Sequence, residues 1–262
     1  MNPFIISLFG PLAVSWYGLF IVLGVSLFIY SAYSDMRRSA IASTDSFFDC
    51  ALAGVFGGLL GGKLLFCAVQ YQELVLLSWR EVPAVIVGGF AILGAMIGGS
   101  LGIILMARWR RVELLPLLDL AGAYALLAHG VARIGCFIAG CCYGVPVVAG
   151  SFFSVTYTHE ACLAPLYAPL LPVQLVMSAV SLIGFILCYR AYQIRGRRDG
   201  LVFSLYLLWE TGSRFCIDFF RGDRENIVYG LSAYQWLALL IVAVVLFFVV
   251  VKVQSRYTRR RW

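Results

Sequence analysis

Seven long apolar stretches constrain the fold of this 262-residue chain more than any other feature. About 20 apolar residues in a helix span the hydrocarbon core of a bilayer, and 62% of this chain is hydrophobic while only 13% is charged. Continuous, glycine-rich stretches favour helices over the alternating strands of a membrane barrel. We therefore predict an all-α polytopic membrane protein with seven transmembrane helices. The stretches run at about 11 to 33, 47 to 71, 84 to 107, 114 to 140, 172 to 191, 200 to 219 and 234 to 252.

The distribution of basic residues predicts the orientation of the chain. Fourteen of the 20 Lys and Arg residues lie at or after the ends of the first, third, fifth and seventh stretches. The opposite side would hold only Arg80, Arg221 and Arg224, and the longest connection, about 141 to 171, has no Lys or Arg. We therefore predict an N-terminus outside and a cytoplasmic C-terminus. The net charge of +7 is explained by this topology and by contact with anionic lipid, so no nucleic-acid partner is expected.

The chain is predicted to form a single transmembrane domain over residues 1 to 262, since nothing in it indicates a repeat or a second folding unit. The segment of residues 1 to 10 is too short for a cleavable signal peptide and lacks a basic n-region, so we expect none. The first stretch would then act as the insertion signal. An outer loop at about 141 to 171 is the one connection long enough to cover a site.

The fourth stretch contains a cation at a depth where hydrocarbon is expected. A charged side chain there costs about 3 kcal/mol, so Arg133 should face the interior of the bundle and hold something anionic. His129, Arg133 and Cys136 share one helical face because they are spaced by four and three residues. No acid lies within a turn of Arg133 in the sequence. Its anion would come from a ligand or from another acid, and Asp218, Glu210 and Asp49 are the alternatives.

The sixth stretch has Glu210, Arg214 and Asp218 at steps of four, with Arg221 seven residues beyond Arg214. These charges either neutralise each other along the helix or present an arginine to an anion. Two arginines near the outer ends of their spans suit a lipid phosphodiester, because the guanidinium fork matches phosphate oxygens. Lys63 is either a third cation or a lysine whose stem packs among the neighbouring glycines.

Several short motifs lie in order on matching stretches, and together they resemble one family. The box at residues 132 to 141 reads A-R-I-G-C-F-I-A-G-C. It stands in the place of the approximate pattern G-R-x-G-N-F-x-N-G-E of the prolipoprotein diacylglyceryl transferases, which the chain resembles over nearly its whole length. The other matches are Ser15-Trp16-Tyr17-Gly18, Gly61-Gly62-Lys63-Leu64, Asp119, Pro172-Val173-Gln174-Leu175, Gly212-Ser213-Arg214-Phe215 and Asp218-Phe219-Phe220-Arg221.

The resemblance implies a multi-pass protein of the bacterial inner membrane, with seven spans and the N-terminus outside. It implies transfer of the diacylglyceryl group of phosphatidylglycerol to the lipobox cysteine in the signal peptide of a prolipoprotein, with release of glycerol phosphate. The implied partners are phosphatidylglycerol, this precursor and membrane lipids, and no cofactor or metal is implied. The reaction needs cations beside the leaving phosphate and a means of forming a thiolate.

By resemblance, Arg133 and Arg214 are the catalytic cations beside the phosphate. Asp218 is expected to position Arg214 or to assist proton transfer, and Tyr17 is expected to orient the headgroup. The other substrate-binding residues that the resemblance suggests are Lys63, Cys136, Gly144, Glu210 and Arg221.

The chain departs from the family pattern at several positions. Cys136 replaces an Asn of the box, Ala139 a second Asn and Cys141 the Glu, while a histidine of the third span corresponds to Leu93. The form R-x-G-C-F-x-x-G-C-C-Y-G is similar to a divergent branch of the same family, in which a histidine precedes the arginine. His129 is therefore the substitute catalytic base to test, or else a packing histidine bonded to a backbone carbonyl.

The cysteines leave other functions open. Cys141, Cys142 and Cys162 fall in the outer loop. A disulfide from Cys162 to Cys141 or Cys142, or a redox pair of the adjacent Cys141 and Cys142, would suit an oxidising compartment. One alternative function is a membrane thiol oxidoreductase that passes electrons to a quinone. Others are a sibling transferase with a different acceptor and an inactive lipid-binding relative. A zinc site would draw on His129, Cys136, Cys141 and His159.

Overall fold

A computed structural model describes residues 4–7, 13–39, 41–72, 90–148, 150–194, 199–224 and 229–259. Seven helices occur in these ranges, one within or close to each predicted stretch, so the helical architecture is confirmed. The helices are α1 (Trp16–Ser39), α2 (Thr44–Val69), α3 (Ile92–Trp109), α4 (Leu114–Ala139), α5 (Val173–Ile194), α6 (Leu201–Asp218) and α7 (Ala233–Arg259).

Two short antiparallel sheets, which the sequence patterns did not predict, accompany the helices. Strands β1 (Phe4–Ser7) and β2 (Ala13–Ser15) pair immediately before α1. Strands β3 (Val155–Thr156) and β4 (Pro169–Leu170) pair within the predicted outer loop. The loop is therefore partly ordered by backbone hydrogen bonds.

The helices have the length and surface of a multi-pass membrane protein. Five of them, α1, α2, α4, α5 and α7, are long and apolar enough to cross a bilayer, and α3 is apolar but shorter. Helix α6 has 18 residues and includes Glu210, Arg214 and Asp218. Large apolar side chains such as Phe56, Leu105 and Phe247 are exposed, which suits contact with lipid.

The chain separates into two compact units, one of residues 1–32 with 118–262 and the other of residues 33–117. The prediction of a single domain stays a prediction. In the unit of residues 33–117, α2 and α3 pack through glycines. A Cβ atom at Gly57 or Gly61 would come within 2.4 Å of a carbonyl oxygen of α3. Such close backbone contact is typical of small-residue helix interfaces in membranes.

In the larger unit, α1 crosses α4 at two places where glycine permits close contact. A Cβ atom at Gly24 would lie 2.7 Å from the carbonyl oxygen of Ala128. One at Gly135 would lie 2.9 Å from Cβ of Phe20 and 3.1 Å from Cα of Tyr17. The second crossing places the start of α1 beside the box on α4.

Polar contacts join α4, α5 and α6. The Ser178 hydroxyl on α5 donates to the carbonyl oxygen of Gly130 at 2.7 Å, and Trp209 Nε1 on α6 donates to the carbonyl oxygen of Val180 at 3.0 Å. The fully buried carboxylate of Asp119 on α4 accepts hydrogen bonds at 2.8 Å from the backbone N–H groups of Gly200 and Phe203. It therefore satisfies two backbone donors at the start of α6, which would otherwise be unpaired.

The segment between α4 and α5 folds back over the end of α4. Its core contains the fully buried Tyr157, whose hydroxyl donates to the carbonyl oxygen of Phe137 at 2.8 Å, and burial raises the pKa of this phenol. Leu163 N–H donates to the carbonyl oxygen of Ala139 at 3.1 Å. The segment thus forms a folded cover rather than an open connection.

Candidate active site

Arg133 lies at the centre of a polar cluster on α4. Its side chain is buried, with 8% of the residue surface exposed. Nε donates to Nε2 of His129 at 2.9 Å, and Nη1 faces the sulfur atoms of Cys136 at 3.8 Å and Cys142 at 3.6 Å. The predicted helical face of His129, Arg133 and Cys136 is confirmed by these contacts.

His129 connects Arg133 to two other helices. Its Nδ1 lies 3.0 Å from Oε2 of Glu210 on α6 and 3.2 Å from the Ser181 hydroxyl on α5. Because arginine only donates, Nε2 must be the unprotonated nitrogen, and Nδ1 then bears the proton and donates to the carboxylate. The lone pair that a general base needs is therefore already bound to Arg133. This geometry favours a positioning residue over the predicted base.

The carboxylates proposed as alternatives for Arg133 have other partners. Among the ion pairs of the described residues, none includes Arg133. Glu210 pairs with His129, Asp49 with Arg110, and Asp218 with arginines near its own helix. A buried guanidinium surrounded by thiols and an imidazole retains the capacity to bind an anion.

Arg214 presents a second guanidinium without a carboxylate partner among the described ion pairs. It lies over the ring of Tyr234 on α7, with Cζ 4.4 Å from the centroid, and its buried Nε has no hydrogen-bond partner in the described part of the chain. Its charged neighbours include Arg133, Arg221 and the carboxylate of Glu210. A buried donor without a hydrogen-bond partner, next to two other arginines, favours an additional anion at this place.

The predicted ladder along α6 does not form, because its acids bind elsewhere. Glu210 turns to His129 on α4. Asp218 accepts from the Ser232 hydroxyl at 2.5 Å and pairs at 3.7 Å with both Arg221 and Arg224. The described contacts of Asp218 hold Arg221 and Arg224 rather than Arg214, and its role in the reaction stays a prediction.

A short antiparallel contact brings Arg221 to the box. Val145 N–H donates to the carbonyl oxygen of Phe220 at 2.9 Å, and Gly222 N–H donates to that of Tyr143 at 2.9 Å. Gly144 lies between these bonds, opposite Arg221. A Cβ atom at Gly144 would come within 2.4 Å of the carbonyl oxygen of Leu171, so only glycine fits without a shift of the backbone.

The charge of Arg221 is secured by its own neighbours. Nε and Nη2 donate to the two carboxylate oxygens of Asp223 at 2.9 and 2.8 Å. Burial alone would disfavour the cation, but the Asp223 hydrogen bonds and the nearby Cys142, Asp223 and Asp218 raise the pKa of Arg221 overall. Arg221 is thus a permanent cation beside the box, already engaged by carboxylates.

The remaining predicted residues divide between the two units. Tyr17, on α1, has Arg133 and the thiols of Cys136, Cys141 and Cys142 among its electrostatic neighbours. Lys63 belongs to the unit of residues 33–117, and its role stays a prediction.

Gln174 is a site residue that the motif comparison contained but that we did not single out. It is fully buried, and its Nε2 donates to the carbonyl oxygen of Cys141 at 2.9 Å. It therefore ties the start of α5 to the box. A polar glutamine two residues after Pro172, at the start of an apolar stretch, was the signal available in the sequence.

The cysteines are all free thiols, so the disulfides considered from sequence are not formed in this structure. The zinc alternative also lacks support, since no group of three or more His, Cys, Asp or Glu side chains among the described residues is placed to hold a metal ion.

Comparison with known proteins identifies the family. A family model described as prolipoprotein diacylglyceryl transferase matches residues 3–251. The chain belongs to this family. It is 33% identical to the phosphatidylglycerol–prolipoprotein diacylglyceryl transferase of Clostridium tetani over 248 residues, which is 94% of this chain and 96% of that protein.

Other relatives with the same name show similar agreement. The Dehalococcoides mccartyi protein is 32% identical, with 89% of this chain and 87% of the relative covered. The Lactococcus lactis subsp. lactis protein is 30% identical, with 90% and 88% covered. Because the agreement extends over both compact units, it supports a prolipoprotein diacylglyceryl transferase fold for the whole chain.

Proposed function

We propose that this chain transfers the diacylglyceryl group of phosphatidylglycerol to the lipobox cysteine of a prolipoprotein and releases glycerol phosphate. The proposal rests on one observation above all. Arg133 and Arg214 are neighbouring guanidinium groups that the described carboxylates leave unpaired. Together they suit one phosphodiester, because each planar fork can bind two phosphate oxygens.

The reaction needs one bond to form as another breaks. The acceptor sulfur bonds to the terminal glyceryl carbon while the bond from that carbon to the phosphate oxygen breaks, and the thiol proton is transferred to the departing glycerol phosphate. Arg133 and Arg214 stabilise the charge that develops on the leaving phosphate. The same cations favour the thiolate of the acceptor.

The surrounding residues hold this arrangement in place. Glu210 and His129 fix the plane of the Arg133 guanidinium through Nε. The phosphate would bind Nη2, and Nη1 where it displaces the sulfurs of Cys136 and Cys142. Asp218 holds Arg221 at the edge of the site. Tyr17 orients the headgroup from α1, and we assign a further headgroup contact to Lys63. Cys136 and Gly144 line the acceptor side of the box.

We assign the chain to the bacterial inner membrane with seven crossings, an external N-terminus and a cytoplasmic C-terminus. The basic residues in the last turn of α1, at or after the ends of α3 and α5, and within and after the last turns of α7 support this orientation. The site would then open to the outer leaflet between α4 and α6. A reporter fused after each helix tests the topology, and a cytoplasmic signal after α4 would contradict it.

Mass spectrometry of a lipobox peptide tests the reaction. The peptide is incubated with the purified protein and phosphatidylglycerol, and its cysteine should gain a diacylglyceryl mass as glycerol phosphate appears. Arg133→Ala and Arg214→Ala should abolish the gain. Arg190→Ala, at an exposed position near the far end of α5 from Gln174, is the matched control and should keep it. An unmodified peptide with a folded, lipid-binding protein would favour a sibling transferase with another acceptor.

A further inference from the structure

Three thiols meet at the end of α4, where the family pattern given above has none. The sulfur atoms of Cys136 and Cys142 both face Nη1 of Arg133, at 3.8 and 3.6 Å. The Cys141 thiol donates to the carbonyl oxygen of Cys136 at 3.7 Å, and the three thiols are electrostatic neighbours of one another. Nη1 of Arg133, which should bind phosphate, therefore already contacts two sulfur atoms.

The backbone returns Cys142 to Arg133. Gly140 has φ of 74° and Cys142 has φ of 55°, so the chain reverses directly after α4. The contacts of Tyr143 and Val145 with the segment after α6 then hold the reversed chain in place. Left-handed backbone at a non-glycine residue is uncommon and costs free energy, so the placement of this thiol is maintained by its surroundings.

Cys142 is the thiol best suited to react. Its pKa is lowered below the ordinary value by the contacts of its sulfur with the Cys136 and Cys141 thiols and by the nearby Arg133 and Arg221. The pKa of Cys141 is raised by its contacts with the Cys136 and Cys142 thiols and by partial burial. Cys142 is therefore the attacking thiolate in thiol–disulfide exchange, and Cys141 remains a thiol.

Cys136 is the natural second partner of Cys142. Consecutive Cα atoms across a trans peptide lie about 3.8 Å apart, below the usual range of about 4.4 to 6.8 Å for a disulfide. A bond between Cys141 and Cys142 would therefore be strained. Cys136 lies six residues earlier in the sequence and shares with Cys142 a contact to the same nitrogen atom of Arg133.

We propose that Cys136 and Cys142 form a reversible disulfide that releases Arg133 for the lipid phosphate. The Cys142 thiolate attacks a small-molecule or protein disulfide and displaces one thiolate, and Cys136 then attacks the mixed disulfide and displaces the second. The two cysteines are oxidised and the reagent is reduced to two thiols, which take the proton of Cys136 and one proton from solvent.

Oxidation should change the affinity for phosphatidylglycerol, because it removes the negative charge of the Cys142 sulfur. In the reduced protein the Cys142 sulfur competes with phosphate for Nη1, whereas a disulfide is neutral and a weak acceptor. Losing a hydrogen bond to a charged group changes affinity by about tenfold or more. The oxidised protein should therefore bind phosphatidylglycerol about tenfold more tightly than the reduced protein. This regulatory effect rests on the proposed function, but the disulfide itself does not.

Two readouts on the full-length protein in lipid nanodiscs test the inference separately. The protein is treated with oxidised glutathione or with dithiothreitol, and peptide mapping should find a Cys136–Cys142 cross-link that dithiothreitol reverses. Direct binding of phosphatidylglycerol, measured without acceptor peptide, should then be about tenfold tighter in the oxidised sample. An inactive protein that shows both results would count against the proposed transfer and leave the disulfide site standing.

Two substitutions of similar size isolate the charge at position 142. Cys142→Ser should bind the lipid as tightly as the oxidised protein in either condition, whereas Cys142→Asp supplies a permanent anion and should bind weakly in both. Cys216→Ser, at an exposed position on α6, should keep the full response. A cross-link of Cys141 to Cys142 or Cys162, no cross-link, or an affinity that oxidation leaves unchanged or lowers would overturn the inference.

Discussion

Nε of Arg133 donates a hydrogen bond to Nε2 of His129 at 2.9 Å, and this contact decides what the histidine can do. Nδ1 is bonded on its other side to Glu210 at 3.0 Å. Three side chains on two helices thus form one chain of hydrogen bonds that ends at the guanidinium. We therefore propose that His129 acts on the reaction through Arg133, as a positioning residue.

Substitution of His129 separates positioning from base catalysis. Glutamine can accept from Arg133 Nε through its side-chain oxygen, whereas alanine cannot. We expect His129→Ala to lower kcat/KM for phosphatidylglycerol by about a hundredfold and His129→Gln to restore most of this loss. Steady-state kinetics with phosphatidylglycerol measure both variants. If His129→Gln were as inactive as His129→Ala, the histidine would act as the base rather than as a positioning residue.

Thiol alkylation as a function of pH tests the environment of Cys142. A thiol with a lowered pKa stays a thiolate as the pH falls below the ordinary thiol pKa, so its reaction should persist where an ordinary thiol has stopped reacting. We expect iodoacetamide to label Cys142 in the reduced protein at pH 6, well below the ordinary thiol pKa of about 8.5. Mass spectrometry of the labelled peptide measures the extent of labelling at each pH. Arg133→Gln should shift the Cys142 profile to higher pH, and a profile that follows the ordinary thiol pKa would refute the assignment.

Asp119 should contribute to stability rather than to chemistry. Its fully buried carboxylate accepts from two backbone N–H groups at the start of α6, so Asp119→Ala leaves both donors unpaired. Such a loss costs about 1 to 3 kcal/mol for each unsatisfied group. We expect a lower unfolding temperature in detergent, with KM for phosphatidylglycerol unchanged in the folded fraction. Asp119→Asn, which keeps one acceptor, should lose less, and a fall in kcat without a fall in stability would contradict the role.

Periodic patterns in the sequence predict features within a single helix. Hydrophobic length predicts the seven helices of the described residues, and spacings of three and four predict the face of His129, Arg133 and Cys136. The spacing rule fails for Glu210, because an acid between two helices can pair along its own helix or across to another, and only packing decides.

Contacts made by irregular segments were beyond the sequence patterns. The turn that brings Cys142 back to Arg133 depends on φ of 55° at a cysteine, a conformation that residue type does not indicate. Asp218 likewise meets Ser232 because the connection between α6 and α7 folds back. The family motif indicated Asp218 as a site residue, but its partners Ser232, Arg221 and Arg224 follow from packing that the motif does not show.

A double-substitution cycle on Arg133 and Arg214 tests most directly whether both bind one phosphate. Arg133→Gln, Arg214→Gln and the double variant are compared with the unchanged protein by kcat/KM for phosphatidylglycerol. Two groups that share one ligand are coupled, so the double variant should lose less than the sum of the single effects, by at least about 1 kcal/mol. Effects that add to within about 0.5 kcal/mol, or full activity in either single variant, would contradict a shared phosphate site.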